Sequence, residues 1–189
     1  SRVTSLDFMF CGYDSEWANA DCKSDRANLL EGASLSTWNV QKVTSLEGTF
    51  LNNRKVNFDF SNWNVRFYLF THLLIHTLSY YAFEPQTRSL ENLNQAFEGA
   101  TLFQGIGLDT WQTSRLVSMS RTFSGATSFN GDLGNWDTSK VTSMRASFYN
   151  AEKFTGRGSI SEWSVKKVTT FRTSIDRCTY FCNPHSIMY

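Results

Sequence analysis

Tryptophan recurs along the chain at a near-constant interval, and this interval restricts the possible folds more than any other feature. Five tryptophans, at positions 38, 63, 111, 136 and 163, are separated by 25, 48, 25 and 27 residues. Counted from each tryptophan, other apolar residues recur three positions before it and five, eight and twelve positions after it. One unit holds too few apolar residues for a core of its own. Successive units must therefore stack and share a continuous core.

The spacing inside each unit predicts one short strand and one short helical turn. The segment that ends at tryptophan, such as residues 129–136, is interpreted as the strand. Equivalent strands of successive units would then lie about 4.8 Å apart as parallel neighbours. The Met-x-x-x-Phe-x-x-Ala segment has apolar spacings of four and three, which are typical of a helical turn. We therefore predict a single α/β repeat solenoid over residues 1–189, with about five to six coils and truncated at both ends.

The repeat also resembles a known family. The pattern Val-Thr-Ser-Met-x-x-x-Phe-x-x-Ala-x-x-Phe, followed by Leu-x-x-Trp-Asp-Thr-Ser, is similar to the short repeat of BspA-type leucine-rich-repeat surface proteins, most specifically over residues 111–160. The resemblance implies a leucine-rich-repeat-like fold, a cell-surface or secreted location, and adhesion or protein–protein recognition. That family has no shared catalytic residues, so the resemblance implies a protein that is not an enzyme and needs no cofactor. No signal peptide is visible in the sequence.

Two segments interrupt the register of the repeat, at about residues 14–28 and 66–87. The first is polar and is predicted to form a surface loop. Deletion of residues 66–87 would restore all of the apolar offsets on their C-terminal side. Three interpretations of this apolar segment remain open: a short membrane span, a helix packed on the flank of the repeats, or a retained intron. Membrane contact is expected only through this segment.

Four cysteines are candidates for local disulfides: Cys11, Cys22, Cys178 and Cys182. An even count in a surface-type repeat protein suits bridges that close loops, and free buried thiols are the alternative. No metal site is predicted, because the sequence has no C-x-x-C pair. His72 and His76 have the spacing of a helical metal site, but no H-E-x-x-H arrangement surrounds them.

Charge and residue types favour recognition of a protein partner. The formal net charge is +1 with no basic block, which argues against binding to nucleic acid. No serine or cysteine has a plausible histidine partner for nucleophilic catalysis. The tryptophan row is predicted to be a core ladder, so the candidate binding face consists of polar residues, namely Asn130, Asp132 and Asn135. The alternatives are a module that binds carbohydrate or extracellular matrix, and an architectural subunit that docks through residues 66–87.

Overall fold

Successive repeats lie one upon another in a stack. The computed structural model describes residues 3–12, 22, 35, 38–40, 42–63, 90–156 and 162–172. Five isolated parallel bridges join six segments, which we number as repeats one to six. The bridged residues, in order, are Ser5, Ser45, Asn92, Ser118, Ser143 and Thr170. Because Ser45 pairs directly with Asn92, the repeats on either side of residues 66–87 are neighbours in the stack.

The predicted α/β solenoid, with its leucine-rich-repeat-like strands and helical turns, is wrong for the described part of the chain. Two 3₁₀ helices, Ser61–Trp63 and Leu108–Thr110, lie wholly within that part, which contains neither an α-helix nor a β-strand. Residues 129–136, predicted as a strand, are irregular backbone with a turn at 134–135. Residues 119–126, predicted as helical, form consecutive turns instead.

The directions of the backbone hydrogen bonds explain why no helix forms. In repeat four, alternate amides donate to the carbonyl oxygens of repeat five, over 2.8–3.0 Å: Met119 to Ser143, Arg121 to Arg145, and Phe123 to Ser147. Of the amides between them, Thr122 donates to the oxygen of Met119 in its own repeat, and Ser120 donates to the side-chain Oδ1 of Asn94 in the preceding repeat. An α-helix needs every amide to bond the carbonyl four residues earlier. With half of the amides committed to the next repeat, that ladder is unavailable.

A residue with a left-handed backbone conformation, at the same position of each repeat, also prevents an α-helix. The residue three positions after the bridge has a φ of 52–57° in each of five repeats: Phe8, Gly48, Gln95, Arg121 and Ala146. A positive φ is outside the right-handed helical region and reverses the local direction of the chain. The apolar spacing of four and three therefore arises from a series of short turns, and its helical interpretation was wrong.

Stacked aromatic rings form the core of the repeats. One phenylalanine ladder has ring centroids 5.3–5.8 Å apart and contains Phe10, Phe50, Phe97, Phe123 and Phe148. The tryptophan ladder has centroids 6.1–6.4 Å apart and contains Trp63, Trp111, Trp136 and Trp163. The first three of these indoles are buried. The prediction that the tryptophan row belongs to the core is confirmed for them, whereas Trp38 and Trp163 are partly buried and pack against that core.

A disulfide lies at the first repeat. Cys11 and Cys22 are both buried and are joined by an S–S bond of 2.09 Å. They pack with Leu51 of the second repeat in a small apolar cluster. Apart from Cys22, the predicted loop at 14–28 lies outside the described residues. The same holds for residues 66–87, Cys178 and Cys182.

Candidate functional site

An open groove of about 470 Å³ crosses repeats three, four and five. We call it the glycine groove, because Gly105 of repeat three and Gly131 of repeat four line it at equivalent positions. A Cβ atom added to Gly131 would lie 2.8 Å from the carbonyl oxygen of Gly105, and Gly105 itself has a φ of 83°. Side chains are therefore excluded from this strip, and the backbone forms the floor of the groove.

One amide side chain of the groove ties two repeats together. Asn130 lines the groove, and its Oδ1 atom accepts hydrogen bonds from the amide and the hydroxyl of Thr155, over 3.1 and 2.9 Å. The backbone N–H of Asn130 donates to the backbone oxygen of Gln104 at 3.3 Å. Asn130 therefore has a structural role beside any contact with a ligand. Gln104 also lines the groove and is exposed.

Two carboxylates also line the groove. Asp132 and Asp109 are exposed residues of the lining. The Oδ1 atom of Asp132 accepts a hydrogen bond of 2.9 Å from the amide of Gly134, which fixes the turn that follows. Asn135 lies next to Asp109, because its Nδ2 atom donates to the backbone oxygen of Asp109 at 3.1 Å. The structure thus brings the three predicted binding residues to one region, with Asn130 and Asp132 inside the groove.

Sequence reasoning missed the other residues of the groove. Ile106 lines the groove with an exposed fraction of 47%, and Lys153 supplies an ammonium group from repeat five. Ile106 stands between Gly105 and Gly107, which both have a positive φ. A signal was present: Trp111 follows Phe103 by eight positions, but Trp136 follows Phe129 by only seven. The extra residue of repeat three falls where the groove is.

The described residues contain no group of three or more histidine, cysteine, aspartate or glutamate side chains placed to hold a metal ion. In the same part of the chain, no helix is long and apolar enough to cross a membrane. His72 and His76 lie outside the described residues, so the structure adds nothing about their spacing.

Comparison with known proteins identifies a family. No curated protein and no solved structure matches the chain. One family model matches residues 1–73 and 75–187, which is nearly the whole sequence. That coverage includes all six repeats and every residue of the glycine groove. The chain therefore belongs to the family described as Mycoplasma protein of unknown function, DUF285.

Proposed function

We propose that this protein is a non-catalytic surface recognition protein that binds a partner in the glycine groove. The observation that carries the proposal is the groove itself, which is lined by polar side chains from three successive repeats. Stacked repeats offer extended surfaces, and recognition can be spread over several units. Asn130 and Asp132, selected from sequence as binding residues, both lie in this groove.

Two observations support a cell-surface or secreted location as part of the same proposal. The repeat resembles that of BspA-type surface proteins, which implies such a location. The buried disulfide between Cys11 and Cys22 is also consistent with folding in an oxidising compartment, where disulfides form and persist.

Attachment of protein-coated beads to cultured animal cells tests the proposal. Beads that carry the full chain should attach, and the variant Gln104→Ala/Asp132→Asn/Lys153→Ala should reduce attachment several-fold. Asparagine at position 132 keeps an oxygen that can accept the hydrogen bond from Gly134, so the turn is preserved. A matched control is Val117→Ser, which alters an exposed apolar residue that is not in the lining of the groove.

The thermal unfolding of both variants should match that of the parent protein. Attachment that persists unchanged in the groove variant would contradict the proposal. Treating the cells with protease or with glycosidase then separates a protein partner from the alternative, a carbohydrate ligand. Loss of attachment after glycosidase alone would favour the carbohydrate-binding module.

A further inference from the structure

In the described part of the chain, Gly131 of the groove floor has backbone groups without hydrogen-bond partners. Gly131 is buried, yet neither its N–H nor its C=O makes a hydrogen bond within the described part of the chain. The equivalent residue of the preceding repeat differs, because the oxygen of Gly105 accepts a bond from the amide of Leu108 at 3.4 Å. Roughly nine-tenths or more of buried backbone groups in native proteins are paired. Gly131 therefore offers a donor and an acceptor to a ligand in the groove.

One aliphatic side chain, that of Ile106, lines the groove beside this floor. Among the described residues, the large apolar side chains with high exposure are Val3, Leu102, Ile106 and Val117. Ile106 lines the groove, and Leu102 occupies the repeat position that Ser128 and Lys153 of the lining hold in the next two repeats. The side chain of Ile106 gives a ligand in the groove an apolar surface to pack against.

The charges of the lining favour a cationic ligand. The lining contributes two carboxylates, Asp109 and Asp132, and one ammonium group, Lys153, which leaves one net negative charge. Both carboxylates belong to exposed residues, so a ligand can reach them without displacing other side chains. A basic group placed between them would find favourable electrostatic complementarity.

We propose that the glycine groove binds an extended polypeptide segment that carries a basic side chain close to an aliphatic one. The segment would exchange backbone hydrogen bonds with Gly131, place its basic group near Asp109 and Asp132, and pack its aliphatic group on Ile106. An extended peptide presents the N–H and C=O of one residue together, as pairing with a single glycine requires. A glycan would find no aromatic ring in the lining on which to stack. This inference rests on the proposed function, because it names the ligand class of the same groove.

Selection from a phage-displayed library of short random peptides on the immobilised full chain tests this ligand class. The selected peptides should be enriched in lysine or arginine next to leucine, isoleucine or valine. Fluorescence anisotropy of one selected peptide should give a Kd about tenfold higher for Asp109→Asn/Asp132→Asn, and an affinity of the parent protein that falls with added salt. Ile106→Ser should weaken binding by a smaller factor.

Matched controls are Glu162→Gln, which removes an exposed carboxylate outside the lining, and Val117→Ser, which removes an exposed aliphatic side chain outside it. Neither should change the Kd. Peptides that bind all groove variants as tightly as the parent would overturn the inference. A selection that yields no peptides, together with glycan-array binding that Asp132→Asn abolishes, would overturn the polypeptide ligand but leave recognition in the groove intact. Cell attachment that ignores the groove variants would instead refute the proposed function.

Discussion

The indole Nε1 of Trp136 donates a hydrogen bond of 2.8 Å to the backbone oxygen of Leu108 in the preceding repeat. Trp63 makes the equivalent bond to Leu35, also over 2.8 Å. Trp111 stands between them in the same ladder, 6.1 Å from Trp63 and 6.2 Å from Trp136 by ring centroids. Its Nε1 is the buried side-chain polar atom of the described residues that has no partner. Two indoles of equal shape therefore differ by one hydrogen bond.

This difference predicts unequal effects of the same substitution. Trp136→Phe removes apolar volume and a hydrogen bond, whereas Trp111→Phe removes similar volume together with an unpaired N–H group. An unpaired buried donor costs about 1–3 kcal/mol. We expect Trp136→Phe to lower the free energy of unfolding by about 1–2 kcal/mol more than Trp111→Phe, as measured by urea denaturation. Equal losses would show that the indole hydrogen bonds contribute nothing net.

Buried hydroxyl groups at one repeat position predict opposite stability effects for a second pair of substitutions. Four positions after the bridged residue, the hydroxyl of Thr122 lies 2.9 Å from the oxygen of Leu93 in the preceding repeat and 2.7 Å from that of Met119 in its own repeat, and its single proton can be donated to either oxygen. Thr49 and Ser147 make the same kind of bond, over 3.0 and 2.8 Å, but repeat three has Ala96 at this position. Thr122→Ala should destabilise the protein by about 1–2 kcal/mol, whereas Ala96→Ser should stabilise it by up to about 1 kcal/mol.

Thermal denaturation followed by circular dichroism measures both changes, which should act in opposite directions. A fall in Tm for both variants would contradict the assignment of these hydroxyls as links between repeats. Ser147→Ala provides a control in the next repeat and should behave like Thr122→Ala.

Two glycines of repeat four should respond differently to substitution. Gly125 has a φ of 69°, and a Cβ there would make only ordinary van der Waals contacts, 3.6 Å from the backbone of Gly99; its equivalents in repeats two and five are Asn52 and Asn150. Asparagine tolerates the left-handed conformation, so Gly125→Asn should cost under about 1 kcal/mol and Gly125→Ala about 1–2 kcal/mol. Gly131→Ala should cost about 1–3 kcal/mol, because its Cβ overlaps Gly105.

At position 131 asparagine should be worse than alanine, since the limit there is space and not backbone conformation. The order of the Tm values for alanine and asparagine should thus reverse between the two positions. The same order at both would argue against the close contact at the floor of the groove.

Asp137 predicts a pH-dependent contribution to stability. The hydroxyl and then the amide of Ser139 lower the pKa of the Asp137 carboxyl, with a smaller effect of Lys140. A carboxylate whose pKa is lower in the folded state stabilises the protein above its unfolded pKa, and the contribution is lost as the pH falls through the folded value. Because Asp137 is exposed, we expect Asp137→Asn to cost under about 1 kcal/mol at neutral pH.

The difference in Tm between Asp137→Asn and the parent protein should shrink toward zero in acid. A difference that stays constant from neutral pH to below the folded pKa would contradict the ionic origin of the effect. Lys140→Gln should alter the Tm less than Asp137→Asn, because Ser139 contributes more to the lowered pKa.

Spacing alone was a reliable guide to which residues share the core. The tryptophan and phenylalanine ladders place the same repeat position of neighbouring units in contact, as in Phe50 against Phe97 at 5.3 Å. An aromatic side chain recurring in fixed register has few other ways to leave water, so periodicity carries this information. The sequence also marked Asn130 and Asp132, but not their neighbours Ile106 and Lys153, which come from different repeats.

The sequence by itself determined the repeat length, the register and the aromatic core of this protein. Only the tertiary structure decided the backbone path, because each amide can bond a carbonyl of its own segment or one of the next repeat. Apolar spacing does not distinguish these choices. In the stack, Arg121 adopts a φ of 57°, and its backbone N–H donates to the backbone oxygen of Arg145. Both features are incompatible with the predicted helix. The glycine groove depends on the same packing, since its floor exists only where Gly105 and Gly131 meet.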